Sequence, residues 1–465
     1  MIMKTYEFKR QITIEKPYDL VVCGGGPAGC SAAIAAGRLG AKVLLIDGVG
    51  CLGGMGSSGL VTAFDPMANG QVGLVRGIMG EIVQRVHDRG FTGPHVTPEF
   101  WGKNYHCWTP FNAEGYKLIL DEMCAEAGVE VRFFTRVIDV DAADKAVNGI
   151  IINNIEGHQY VPASMFIDAT GDAVLADLCG VACREAGRDT ANIMPPTLCS
   201  VMSHIDWTRA QKDHTQTGAS DQQKYLNQAI EDAFFSHTDR HMPGLFKISP
   251  SMAALNAGHV FKMNALNCRS LSDGMARGRQ LAQEYLAFYR KYVPGCENME
   301  HATTANLMGV RESRRIVGEY ELNIHDYLAR RQFPDQIGVF NKAVDIHVYD
   351  DSPEEYARFC EEYQDRGRLA PGECFGIPYG ILVPKSWQNL WTAGRCASSD
   401  VQVHGSIRVQ PAASMMGQAA GTAAVQCLRT GQIACELNTA QLIEQLRKDH
   451  AYLPQSDLSQ TMTRH

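Results

Sequence analysis

Residues 23–29 read Cys-Gly-Gly-Gly-Pro-Ala-Gly, following the apolar run Leu20, Val21, Val22 and leading directly into the small-residue segment 30–36. This order predicts a strand, a tight glycine turn and a helix. Gly24 permits the turn, Gly26 lets backbone come against a pyrophosphate, and Gly29 lets the helix pack closely on the strand. Pro27 and Ala28 open that helix and aim its N-terminal dipole at a phosphate. A second strand, 41–46, ends in Asp47, a carboxylate placed to accept hydrogen bonds from an adenosine ribose. Among 44 glycines a lone match to this spacing is weak. Here strand, turn, helix, strand and acid follow in order, so the chain opens by building a dinucleotide site.

A length of 465 residues allows about three domain-sized units, so a large core and an inserted domain are both accessible. Lys and Arg number 43 against 51 Asp and Glu, a net charge of −8, with no basic block, which argues against nucleic acid as a partner. Fifteen cysteines lie scattered in apolar contexts without any Cys-x-x-Cys pair, so they read as buried reduced thiols. Cys179 and Cys183 have no partners at zinc or cluster spacing, and the expectation is that no metal or iron–sulfur centre is present. The charged, alternating N-terminus has no secretory core, and no run approaches the ~18 apolar residues of a membrane helix. The expected location is the cytoplasm, off the membrane.

Periodicity organises the remainder. Residues 112–127 carry a helical apolar pattern that stops at Gly128, 129–134 alternate as a strand, and 137–160, beginning at Val137, look like an antiparallel meander. A strand over 165–169 then returns and delivers Thr170, Gly171 and Asp172. Between about 175 and 384 the texture changes to mixed strands (197–205 and 259–266) and a long helix (272–292). The last stretch reverts: 389–393 read as a strand ending in the turn Gly394-Arg395, and 411–428 as a helix of small residues.

Together, residues 24–29, the Ala-Thr-Gly-Asp of 169–172, the Thr-Ala-Gly-Arg of 392–395 and the Pro411 helix resemble the glutathione-reductase-type FAD-binding fold. More narrowly, the Leu-Gly-Gly-Met-Gly of 52–56, the segment 309–318 and the His-Gly-Ser-Ile-Arg of 404–408 are similar to a broad bacterial family of FAD-dependent oxidoreductases. The resemblance covers nearly the whole chain. It implies an α/β fold, with a Rossmann-like FAD-binding domain of parallel sheet and β-meander plus an inserted α+β substrate domain. The boundaries read as 1–175 and 385–465 for the FAD-binding parts and 176–384 for the insertion. The cofactor contacts it implies are Gly53, Gly54 and Met55, Val137, Gly171 and Asp172 with Gly394 and Arg395, and Ala412 with Ala413. Two departures stand out: Asp47 replaces the family's usual Glu, and Cys51 sits where an apolar residue is common, read here as an inert thiol.

Pro411 suits a first helical turn, and Ala412, Ala413 and Ser414 leave its N–H groups open toward the negative charge of a reduced flavin. His404 and Arg408 read as a loop entering that helix, His404 as a proton donor or acceptor and Arg408 as a clamp for an anion. Arg311, Glu312, Arg314 and Arg315 form a charged knot. In a strand or in a helical turn alike, Arg311 and Arg315 share a face, which suits an anionic substrate or an ion-paired hinge. The segment 101–108, His347 and Tyr379 are lower-ranking pocket candidates.

No second glycine fingerprint and no redox cysteine pair are present, so electrons come from the substrate, from transiently bound nicotinamide or from an electron-transfer partner. A Tyr-x-x-x-Lys dyad is also missing. The expected activity is hydride transfer between flavin N5 and a small polar or anionic organic substrate, in either direction. The alternatives are a flavin-binding protein with a structural or sensing role, or a flavin monooxygenase that reoxidises rapidly in O2.

Overall fold

The glycine turn sits between strand β1 (Tyr18–Cys23) and helix α1 (Pro27–Arg38), as the opening residues demand. The computed structural model describes residues 6–105, 107–210, 219–242, 244–362 and 368–454. Beside β1 lies β2 (Val43–Ile46), whose four residues are all buried, the pattern of a parallel strand covered on both faces. Helix α2 (Ala113–Glu126), capped by the Asn112 side chain, leads to β3 (Glu130–Arg132), parallel to β2. The meander follows as β4 (Arg136–Ala143), β5 (Ala146–Asn154) and the twelve-residue β6 (Gly157–Asp168).

Strand β6 does two jobs. Its first half pairs antiparallel with β5, and its second half runs parallel to β1, bringing Asp168 level with Cys23. Buried Asp168 accepts from the Thr170 N–H (3.0 Å), the Thr170 hydroxyl (2.7 Å) and the Ala176 N–H (2.9 Å), fixing the loop that carries Gly171 and Asp172. Apolar side chains of β1, β2 and β6 fill two cores. One lies under the helices, and the other is closed by Val137, Val147, Ile150 and Val161 of the meander.

Outside this sheet, β7 (Ser200–Ser203), β8 (Leu245–Lys247), β9 (Met252–Leu255) and β10 (Glu300–Thr304) form an antiparallel sheet in the order β8-β9-β7-β10. Helix α3 (Cys268–Tyr292) accompanies it, and its buried residues pack on β7 and β9. The strand expected over 259–266 is absent there. His259 makes only an isolated bridge to Thr197, and the following chain turns at Lys262, whose φ is 60°. Downstream, Leu322, Tyr327, Phe333 and the antiparallel pair β11 (Gln336–Phe340) and β12 (Phe375–Pro378) share the core beneath α1.

The chain then re-enters the first sheet. Strand β13 (Leu390–Thr392) runs parallel to β6, with Trp391 level with Ile167. Helix α4 (Val401–Ile407) precedes α5 (Gln410–Thr430), which lies along α1. A Cβ on Gly417 would stand 2.0 Å from the Ala28 carbonyl oxygen, and one on Gly421 2.1 Å from that of Ala32. Small residues therefore let two backbones touch, and a buried Ser31–Ser414 hydroxyl pair at 2.6 Å seals the contact. Among the described residues no helix is long and apolar enough to cross a membrane. Among the described residues no cysteine forms a disulfide.

Gly421→Ala is expected to lower unfolding free energy by about 1–3 kcal/mol through overpacking. Urea denaturation measures this, and an unchanged midpoint would contradict the helix contact.

Candidate functional site

A cavity of ≈ 660 Å³ opens where the two ends of the chain meet, within the range of cofactor and small-molecule sites. Its near wall is the glycine turn (Gly24, Gly26, Pro27 and Ala28) with Asp47 at one end. Gly54 and Met55 line it from the 3₁₀ turn Gly54–Gly56, and Val137 from the start of β4. Gly171 and Asp172 come from the loop after β6, Gly394 and Arg395 from the loop after β13, and Ala413 from the first turns of α5.

The glycines divide by what confronts them. Gly24 has φ 102° and a Cβ there would meet the Ala169 carbonyl at 2.5 Å, while one on Gly29 would stand 1.7 Å from the Gly24 oxygen. Those two are required by packing. Gly26 adopts an ordinary φ of −73° and has nothing within 4 Å of an added Cβ. Protein packing does not demand a glycine at 26, whereas a ligand pressed against the backbone does.

The Asp47 carboxylate accepts from the Gly25 N–H at 2.5 Å and the Val49 N–H at 2.9 Å, tying the turn to the end of β2. Burial raises its pKa, opposed by those N–H groups and by Arg136. Further along, Arg395 donates to Asp172 at 2.7 Å, and the Ser313 hydroxyl donates to the same carboxylate oxygen at 2.6 Å. The Nη1 of Arg395 is buried with no hydrogen-bond partner among the described residues. Helix α5 has a proline in its first turn and no side-chain cap, so its dipole faces the cavity uncompensated. A cradle of bare backbone, a guanidinium with a spare N–H and an uncapped helix suit a ligand with a pyrophosphate and an electron-accepting ring.

The far end of the cavity is charged. Arg311 donates to the carbonyl of Pro195 and to the Thr197 hydroxyl (3.2 Å), and burial with the nearby Arg408 charge pulls its pKa down to about 10. Arg408 donates to both the carboxylate and the carbonyl of Asp345 at 3.1 Å, while its Nε has no partner among the described residues. Lys342 pairs with Asp65; burial disfavours its ammonium, but Asp65 and Asp345 outweigh this and raise its pKa. His241, His347, Trp108 and Phe246 complete this end.

Most of the residues expected at the site line the cavity, Arg311 and Arg408 among them. Gly29 and Gly53 do not, because they serve packing: a Cβ on Gly53 would meet the Tyr116 ring at 2.8 Å. Ala412 also lies outside the lining. His404 is not in a loop but on α4, buried, with Nε2 2.9 Å from the Arg395 carbonyl. That oxygen only accepts, so Nε2 carries the proton and the buried Nδ1 is a bare lone pair without a partner among the described residues. Arg315 does not share Arg311's face. The chain is irregular until Arg314–Ile316 pairs with Cys183–Glu185, which sends Arg315 to Asp189 (2.8 Å) and the Ser399 carbonyl (3.1 Å).

Tyr379 is core, its hydroxyl donating to the Ala434 carbonyl at 2.9 Å. Cys51 lies beside the Ser58 hydroxyl at 3.0 Å, outside the lining. Of the 101–108 segment Trp108 reaches the cavity, and His106 lies outside the described residues. Lys342, Asp345, Asp65, Arg136 and His241 escape sequence reading altogether. All but Arg136, which opens β4, sit on irregular segments brought together by tertiary packing, and no spacing signals them. Only His347 of that group is legible as a candidate.

These features define a dinucleotide-dependent redox protein. The chain belongs to the family described as FAD dependent oxidoreductases, whose profile matches residues 19–446, and FAD is its cofactor. An uncharacterized protein from the nifH2 5′ region of Methanosarcina barkeri is 28% identical over 188 residues, 38% of this chain and 95% of that one. Dihydrolipoyl dehydrogenase of Trypanosoma brucei brucei is 51% identical over 47 residues, 10% of each chain. Among solved structures, a geranylgeranyl bacteriochlorophyll reductase-like protein from Thermoplasma acidophilum is similar at 15% identity, covering 93% of this chain and 83% of that one with a TM-score of 0.45. The myxobacterial chondrochloren halogenase CndH is similar at 13% identity, covering 94% and 79% with a TM-score of 0.44.

Two outcomes follow from this geometry. Gly26→Ala is expected to leave apoprotein melting nearly unchanged while abolishing FAD retention on desalting, because its added methyl meets only ligand space. Burial and the Arg315 and Arg408 charges hold the His404 pKa well below its ordinary value, so the folded protein keeps it neutral. The unfolded chain protonates it near 6.5, so it binds more protons and stability falls as pH drops below that point, by up to about 1.4 kcal/mol per unit. His404→Gln is expected to flatten this part of the stability–pH curve, measured by urea unfolding.

Proposed function

We propose that the protein transfers a hydride between its FAD and a carbon of a small anionic organic molecule held at the Arg311–Arg408 end of the cavity. The observation that carries this reading is the continuity of one cavity from the Gly26 cradle to buried guanidinium groups with unfilled hydrogen-bonding capacity. When bound, FAD supplies hydride acceptance or donation at N5. In the same reading FAD is gripped by both ends of the chain, as in the glutathione-reductase type, by parts 1–175 and 385–465, while much of 176–384 covers the substrate.

The chain's own groups have separable tasks. Gly26 and the start of α1 receive the pyrophosphate, and Asp47 serves the adenosine ribose. Gly171, Asp172, Gly394 and Arg395 hold the middle, with the spare Arg395 N–H directed at a phosphate oxygen. Around Val409, Gln410 and Ala413 the α5 terminus favours negative charge on the ring. Arg311 and Arg408 clamp the substrate's anionic group, and Trp108 and Phe246, 4.4 Å apart, exclude water beside it. His404 positions Arg395 through its carbonyl rather than touching substrate. Electrons leave or enter with the substrate, a transient nicotinamide or a protein partner.

Anaerobic mixing of the oxidised holoprotein with a panel of small carboxylates, hydroxy acids and amino acids, together with reoxidation of the dithionite-reduced form by unsaturated acids, tests the proposal. One class is expected to bleach or restore the flavin band. With that substrate, Arg311→Gln and Arg408→Gln should keep the yellow colour and lower kcat/KM about 10–100-fold, the scale of a charge-assisted hydrogen bond. A flavin that no small molecule reduces, or that only O2 reoxidises, would favour the sensing or monooxygenase readings instead.

A further inference from the structure

Three histidines from three separate segments converge at the charged end of the cavity. One ring nitrogen from each of His241, His259 and His347 lies within 4.8 Å of the other two. The rings of His241 and His259 stack with centroids 4.6 Å apart, and His347 stands edge-on to both, at 4.9 Å and 5.0 Å. His259 and His347 are buried, while His241 and His347 face the cavity.

Two carboxylates behind the rings decide where the protons go. The Oδ2 of Asp239 lies 3.0 Å from Nδ1 of His259, and the Oδ1 of Asp345 lies 3.3 Å from Nε2 of His347. Both carboxylates are stabilised as anions. Asp239 accepts the His241 backbone N–H at 3.0 Å, and Asp345 accepts from Arg408. A carboxylate only accepts, so its charge favours the ring proton on the nitrogen nearest it and a lone pair on the other, although the Asp239 contact with His259 is close without being aligned as a hydrogen bond. For these two rings the other nitrogens are Nε2 of His259 and Nδ1 of His347, and they face each other at 3.0 Å. Two neutral rings so arranged oppose lone pair to lone pair, which is relieved by a proton or by a metal ion lying between them.

We propose that His241, His259 and His347 bind a divalent first-row transition-metal ion, with Asp239 and Asp345 as its outer carboxylates. The dimensions agree for His259 and His347, because two nitrogens each ~2.0–2.1 Å from one ion stand about 3.0–3.4 Å apart, and the His241 nitrogen, within 4.8 Å of both, completes the set by a small inward shift. Paired carboxylate–histidine arms are how proteins orient imidazole ligands and raise their basicity. Three imidazoles suit zinc or ferrous iron, and three protein ligands beside a cavity leave a position open to solvent or substrate.

Arg311 and Arg408 make the surroundings electropositive, so the open position takes an anionic oxygen, either hydroxide or a carboxylate or enolate of the substrate. The site does not rest on the hydride-transfer reading. It can be present in a protein whose flavin does other work.

The experiment uses the full-length holoprotein, stripped with a chelator, reloaded with Zn2+ or Co2+ and freed of excess ion by gel filtration. About one ion per chain is expected by mass spectrometry of the metal. Co2+ should give weak d–d absorption to the red of the flavin band, without thiolate charge transfer. His241→Ala and His347→Ala should abolish stoichiometric retention, and Asp345→Asn should weaken it about 10–100-fold, each with FAD content unchanged as the control for folding. Wild-type protein that retains no ion would overturn the proposal without any variant. So would equal retention by His241→Ala, or histidine 15N spectra showing an imidazolium between His259 and His347 that Zn2+ does not displace.

Discussion

The contact of α1 with α5 is the constraint on which the remainder depends. Both helices start at the cavity, and both must bring their uncapped ends to one ligand although 382 positions separate Ala28 from Gln410. Two glycines on α5 achieve this by letting its backbone lie on the carbonyls of Ala28 and Ala32. A larger residue at either point would push the C-terminal helix off the first, and the two halves of the dinucleotide cavity would part. Strand β6 reinforces the join from below, because β1 and β13 both pair with its second half.

Much of this frame was legible in the sequence. Strand-turn-helix order, the meander after Val137, the return over 165–169 and the C-terminal strand and helix all occur, since each is dictated by local periodicity and small residues. The expected strand at 259–266 fails because its apolar residues are buried individually by neighbouring segments and not by a ladder. His404 reads from sequence as part of a loop entering the Pro411 helix. Instead, Asp400 caps a helix there, accepting the Val403 N–H at 2.7 Å, and the small Gly405 packs against the Asp345 backbone.

The substrate end was far less legible, for a physical reason. Lys342, Asp345 and His347 follow β11 on irregular chain, Asp65 lies near the N-terminus, and Asp239 and His241 lie between a helix and β8. No periodic pattern records that these charges meet. Their meeting has a cost that sequence also hides, since each is buried and must find an opposite charge or a ligand. Asp65 with Lys342 and Asp345 with Arg408 answer each other, which among the described residues leaves Arg311 hydrogen-bonded to neutral oxygen acceptors.

That imbalance bears on what the cavity receives. Arg311 remains positive despite burial and despite Arg408 nearby, so the empty space beside it favours an anion. The histidine cluster at the same end of the cavity would add positive charge if it held a metal ion, and the combined field would then favour a substrate presenting anionic oxygen to both. One charge distribution thereby links the arginine pair, the carboxylate-backed histidines and the uncapped α5 terminus. All three favour negative charge at neighbouring points of a single cavity whose other end is built for a pyrophosphate. If an anion is held as proposed, packing supplies the shape of the site, and the buried arginines, set against Asp47, Asp65, Asp172 and Asp345 in the same lining, supply its selectivity.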